Sequence, residues 1–103
     1  MLENHLANYE YELDEELDLQ EPKKYKVLLL NDDFSTMDFV IEVLMKVFRK
    51  SLDESEKIML DVHNNGSAVC GVYTHEIAFT KIAQVKTMAR KAGFPLKAIA
   101  KEE

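Results

Sequence analysis

Apolar and polar positions along the chain fall into six blocks, and the period changes from block to block. Residues 23–30 carry the unbroken run Val27-Leu28-Leu29-Leu30. That run is too continuous for a half-exposed strand and predicts one buried on both faces. Residues 36–49 repeat apolar groups at Phe39, Val40, Val43, Leu44, Val47 and Phe48, the spacing of one helical face. Ser35 stands as the expected N-cap, with Asp38 three positions on, and Arg49 and Lys50 suit the far end of the dipole. A second helix is expected over 54–64, with Asp53 and Glu56 as its capping pair and Ile58, Met59, Val62 and His63 as its apolar side. Asn64-Asn65-Gly66 supplies a left-handed stop.

Residues 67–73 mix small and β-branched residues and read as a strand. Thr74 then caps a long helix to about Lys91, buried along Ala78, Ile82, Val85 and Ala89. Gly93 ends it, Pro95 prevents its resumption, and residues 96–101 form a last short strand. The order β-α-α-β-α-β predicts an α+β domain with helices on one face of a small sheet. There is no internal repeat.

Charge changes the picture at the N-terminus. Residues 1–22 hold eight of the 19 acidic residues and no Lys or Arg, leaving 13 basic and 11 acidic residues for the rest. This divides the chain into an acidic, flexible or weakly helical arm at 1–22, closed by Pro22, and a nearly neutral core domain at 23–103. The arm is either a solubilising tail or a handle for another protein. No basic stripe exists to hold phosphates, so nucleic acid is not an expected partner. The single cysteine, Cys70, excludes an internal disulfide. With no signal peptide and no apolar run of about 20 residues, the expectation is a cytoplasmic protein away from membranes.

Candidate chemistry concentrates where the first strand stops at Asn31-Asp32-Asp33. Carboxylates beside a helix start attract a cation that the dipole alone would repel. With His63, these groups could satisfy the donors of an ammonium, and a free α-amino group is mostly protonated at neutral pH. On spacing alone, the same three residues read more readily as an Asx-type turn satisfying its own backbone. Met37 with Val40, and Met59 with His63, share helical faces and could line a pocket polar at its mouth and apolar within, or be plain core. Cys70 with His5, His63 and His75 matches no zinc spacing, and a mid-strand thiol lacks the helix N-terminus that would activate it. No phosphate loop or nucleophile elbow is present. No catalysis, metal or cofactor is expected. Glu76 and Lys81 read as a solvated face of the third helix.

Three segments carry a family resemblance: Tyr25-Lys26-Val27-Leu28-Leu29-Leu30-Asn31-Asp32-Asp33 with Met37-Asp38-Phe39-Val40; Met59-Leu60-Asp61-Val62-His63; and Gly66-Ser67-Ala68-Val69-Cys70-Gly71-Val72-Tyr73-Thr74. Together they resemble the ClpS adaptor family, in register over about residues 23–101. The resemblance implies a three-stranded antiparallel sheet with three helices. It also implies a monomeric adaptor that binds proteins beginning with Leu, Phe, Tyr or Trp and delivers them to a ClpA-type or ClpC-type AAA+ unfoldase with its ClpP peptidase. Asn31, Asp33 and His63 would hold the substrate α-amino group, with Asp32 on the same rim. Met37 would gate against β-branched first residues, and Val40, Met59 and Leu96 would line the pocket. Glu76 and Lys81 would dock on the unfoldase N-terminal domain, and the arm would engage the unfoldase. Two positions depart from the family pattern: Thr36 stands where proline is common, and Phe79 where an acidic residue is usual. A rival of similar fold, the ribosomal-stalk C-terminal domain, gives no reason for Asn-Asp-Asp with a distant Met-x-x-x-His.

Overall fold

A computed structural model describes residues 21–103. The acidic arm expected at 1–22 therefore lies almost wholly outside the described residues. Within them the order is β1 Lys24–Leu30, α1 Met37–Lys46, α2 Leu52–Asn65, β2 Ser67–Thr74, α3 His75–Ala92 and β3 Lys97–Glu102. The strands form one antiparallel sheet in the order β2-β1-β3. This is the expected α+β arrangement, three helices against a three-stranded sheet.

Both outer strands pair with β1, so its alternation defines the two faces. Val27 and Leu29 are fully buried and join Val43, Leu44, Val85 and Cys70 in the core beneath the helices. Leu28 and Leu30 point the other way and are only half-buried. The expectation of burial on both faces is thus corrected: helices cover one face. The apolar run misled because Leu28 and Leu30 are shielded by their neighbours on β2 and β3 rather than by a second layer.

Helix boundaries follow the hydrogen bonds that satisfy free backbone N–H groups. Thr36, not Ser35, caps α1: its hydroxyl oxygen accepts the Phe39 N–H at 3.1 Å. Ser51, not Asp53, caps α2, accepting the Glu54 N–H at 3.1 Å, so that helix starts earlier than its acidic residues suggest. α1 ends at Lys46 because Arg49 adopts φ 57°, which turns the chain while Val47 and Phe48 stay buried. Cys70 is the extra residue of a bulge between the Val27–Gly71 and Leu28–Val69 pairs.

Candidate functional site

Gly66 builds the site. Its φ of 89° lets its N–H close α2 on the Val62 carbonyl at 3.0 Å, and its own carbonyl accepts the Asn31 N–H at 2.8 Å. One residue on, Ser67 pairs with Leu30. The last turn of α2, with Val62 and His63, is therefore held beside the end of β1. The loop from Asn31 to Thr36 closes the other side and leads into α1.

These elements enclose a cavity of about 430 Å³. Asn31, Asp32, Asp33, Met37, Val40, Met59 and His63 all line it. Its inner wall is apolar: Val40, Met59 and Val62 are 6%, 8% and 2% exposed. Its mouth is polar, with Asn31, Asp33 and His63 exposed. Met37 is 50% exposed and stands at the edge. Of the residues expected on the apolar side of α2, Met59 and Val62 are buried but His63 is exposed. The cavity sits between the N-terminal end of α1 and the C-terminal end of α2. The carbonyl end of α2 favours a cation, as does the Asp33 carboxylate.

Asp32 plays a different part. One carboxylate oxygen accepts the Phe34 N–H at 2.8 Å and the Ser35 N–H at 2.6 Å, and the other accepts the Ser35 hydroxyl at 2.7 Å. Burial raises its pKa, but these bonds to the ionised form outweigh it, so the net shift is downward. Of the two readings of Asn31-Asp32-Asp33, the Asx-type turn describes Asp32, whereas the side chains of Asn31 and Asp33 line the cavity.

Leu96 is not brought to this cavity. It is 4% exposed, belongs to the core, and lines a second groove of about 440 Å³ beside Ile82, Arg90 and Phe94. Phe34 lines the cavity without having been singled out in sequence, and Val62, expected only on the apolar side of α2, lines it too. Phe34, 74% exposed, carried one signal: a large apolar residue inside a polar turn.

Glu76 is exposed in the first turn of α3. Lys81 corrects the solvated-face expectation. Its Nζ donates to the Val47 carbonyl at 2.8 Å and lies 5.8 Å from the Tyr73 ring centroid. The long aliphatic stem lets it reach a carbonyl left free at the end of α1. Beside Glu76, Phe79 is stacked on His75 with centroids 4.4 Å apart, and Tyr25 meets His75 edge-on at 5.3 Å. Burial pushes the Cys70 thiol up to about 12, against the Leu29 backbone bond and the Lys50 charge that lower it, so it is a thiol at neutral pH. No group of three or more His, Cys, Asp or Glu residues among the described residues could hold a metal ion. No described helix is long and apolar enough to cross a membrane.

Set beside known proteins, this chain and its fold have close parallels. The family model described as ATP-dependent Clp protease adaptor protein ClpS matches residues 20–99. The ATP-dependent Clp protease adapter protein ClpS of Wolinella succinogenes is 53% identical over 96 residues, 93% of this chain and 94% of that protein. Its counterpart from Campylobacter jejuni is 53% identical over 89 residues, 86% of this chain and 93% of its own. Among solved structures, Agrobacterium tumefaciens ClpS2 bound to L-phenylalaninamide superimposes with a TM-score of 0.78 at 43% identity. That match covers 81% of this chain and all of the other. The chain belongs to the ClpS family, adaptors of the ATP-dependent Clp protease.

Proposed function

We propose that the cavity binds the first residue of a protein substrate through its free α-ammonium and a bulky hydrophobic side chain. Leu, Phe, Tyr and Trp are the side chains of that class. The adaptor would then deliver the bound protein to a ClpA-type AAA+ unfoldase working with ClpP.

The observation that carries this reading is the joining of two chemistries in one cavity. Asn31, Asp33 and His63 stand at the mouth, and Val40, Met59 and Val62 form the wall. An α-ammonium has three donors, and the mouth offers a carboxylate, an amide carbonyl and an imidazole nitrogen. Burying a Leu or Phe side chain contributes roughly 1.5–3 kcal/mol, and hydrogen bonds to a charged group about 1.5–3 kcal/mol more. Ordering a peptide offsets much of either alone, so the two are required together. L-phenylalaninamide, the ligand of the solved ClpS2 relative, combines the same two features: a free amine and a benzyl side chain. Met37, half exposed at the edge, would crowd a substrate branched at Cβ.

Docking on the unfoldase is assigned to Glu76 and to the surface around Lys81. Since the Lys81 ammonium is tied to Val47, its contribution there comes through a fixed position rather than a mobile charge. Residues 1–22 are the segment assigned to engage the unfoldase during delivery.

Fluorescence anisotropy with four labelled peptides, differing only at the first residue, tests the proposal. Leu-first and Phe-first peptides should bind, while Val-first and N-acetyl-Phe-first peptides should bind at least tenfold more weakly. Equal binding of the acetylated and free peptides would refute an amine-reading site.

A further inference from the structure

The sheet face turned away from the helices has its own chemistry. Cross-strand pairing places Leu28 between Val69 and Ile99, and Lys26 between Val72 and Lys101. Paired residues of an antiparallel ladder share a face. Val69 and Val72 are 44% and 41% exposed. None of Leu28, Val69, Val72 and Ile99 belongs to the core or packs against it. By the same alternation Lys24 and Lys97 stand at the two ends of this face, Lys97 shared with the groove beside Leu96. Among the described residues none of these four lysines forms an ion pair. The carboxylates nearby are marginal: Asp61 at the β2 edge, beside Leu28 and Val69, and Glu103 just past β3. The face is thus an apolar strip within a basic frame.

The chain itself supplies the complementary chemistry. Residues 1–22 hold eight carboxylates and no basic group, and they join this sheet directly, since β1 begins at Lys24. Their apolar residues Leu2, Leu6, Tyr9, Leu13 and Leu17 recur every three or four positions. An attachment this short gives an effective concentration on the order of millimolar, so a weak intrinsic affinity is enough for occupancy. A separate acidic partner would have to compete with that.

We propose that segment 1–22 docks on the uncovered face of its own sheet, its carboxylates on Lys24, Lys26 and Lys101 and its leucines over Leu28, Val69 and Ile99. A protein that takes hold of the segment then has to lift it from the sheet. The docked form holds it back until such a partner competes. This inference stands independently of what the cavity binds.

Paramagnetic relaxation in the full-length chain tests it. A nitroxide is attached at Asn8→Cys in a Cys70→Ala background, which leaves one thiol, and amide signals are compared between the oxidised and reduced label. The proposal predicts strongest broadening at Val69, Val72 and Ile99, weaker broadening over α1 and α3, and loss of the contrast in 1 M salt, where the screening length falls to about 3 Å. Leu13→Ser with Leu17→Ser should abolish the contrast while leaving the other amide shifts unchanged. Broadening centred on the groove around Arg90 and Leu96, or no region exceeding the rest, would overturn it. So would broadening that survives only between labelled and unlabelled copies, which would make the occupant a second molecule.

Discussion

At the scale of single residues, two neighbouring carboxylates separate cleanly. Asp32 has its oxygens occupied by Phe34 and Ser35, whereas Asp33 is exposed at the cavity mouth. Asp33→Asn should therefore leave stability unchanged and weaken a Phe-first peptide by about 1.5–3 kcal/mol, roughly 10- to 100-fold in Kd by anisotropy. Asp32→Ala should cost about 1–2 kcal/mol in urea unfolding, because two backbone donors lose their acceptor. Asp32→Asn, which keeps one acceptor oxygen, should cost less. The folded-state pKa of Asp32 lies below its ordinary value. Its stabilising contribution is then complete above about pH 4 and is lost as pH falls through the lower folded value. In the Asp32→Ala chain that part of the acid sensitivity should vanish from a pH series of urea midpoints. Ser55 offers a contrary case: it is fully buried, and its hydroxyl has no hydrogen-bond partner among the described residues. Ser55→Ala should be neutral or stabilising by up to about 1 kcal/mol in the same urea assay.

At the scale of elements, the positions where chain direction changes matter most. Gly66 is left-handed with open space around a would-be Cβ, so Gly66→Ala should cost only the conformational penalty, about 1–2 kcal/mol. Its effect on peptide binding should exceed that of an equally destabilising core change, because Gly66 ties Asn31 to the turn carrying His63. Paired urea and anisotropy measurements separate the two. Gly71 differs: a Cβ there would collide with the Tyr73 ring and hydroxyl, so Gly71→Ala must displace the ring that Lys81 faces. Element order and type were legible in sequence because apolar spacing follows directly from which face is buried. Cap identity was not. Ser35, Thr36 and Asp38 are all chemically able to cap; in the fold Thr36 accepts the Phe39 N–H while the Ser35 hydroxyl is turned to donate to Asp32. The covering of β1 was misread for a related reason: an unbroken apolar run records shielding, and neighbouring strands shield as helices do.

At the scale of the whole molecule, the cavity draws its residues from the end of β1, a loop, the start of α1 and the end of α2. Spacing alone suggested that Met37 and Val40, or Met59 and His63, share a helical face. It could not show that the two faces converge, because that depends on the Gly66 reversal and on the strand order. The family resemblance supplied the convergence, and the fold brings every residue it implied for the site together except Leu96. Leu96 is buried in the core and lines the groove beside Ile82 and Phe94 instead. The most direct test of the central claim is titration of the 15N-labelled chain with L-phenylalaninamide and, separately, with its N-acetyl derivative. The account predicts shifts confined to residues 31–40 and 59–66 for the free amine and none of comparable size for the acetylated compound. Shifts centred on the groove around Arg90 and Leu96, or the same shifts from both compounds, would contradict it.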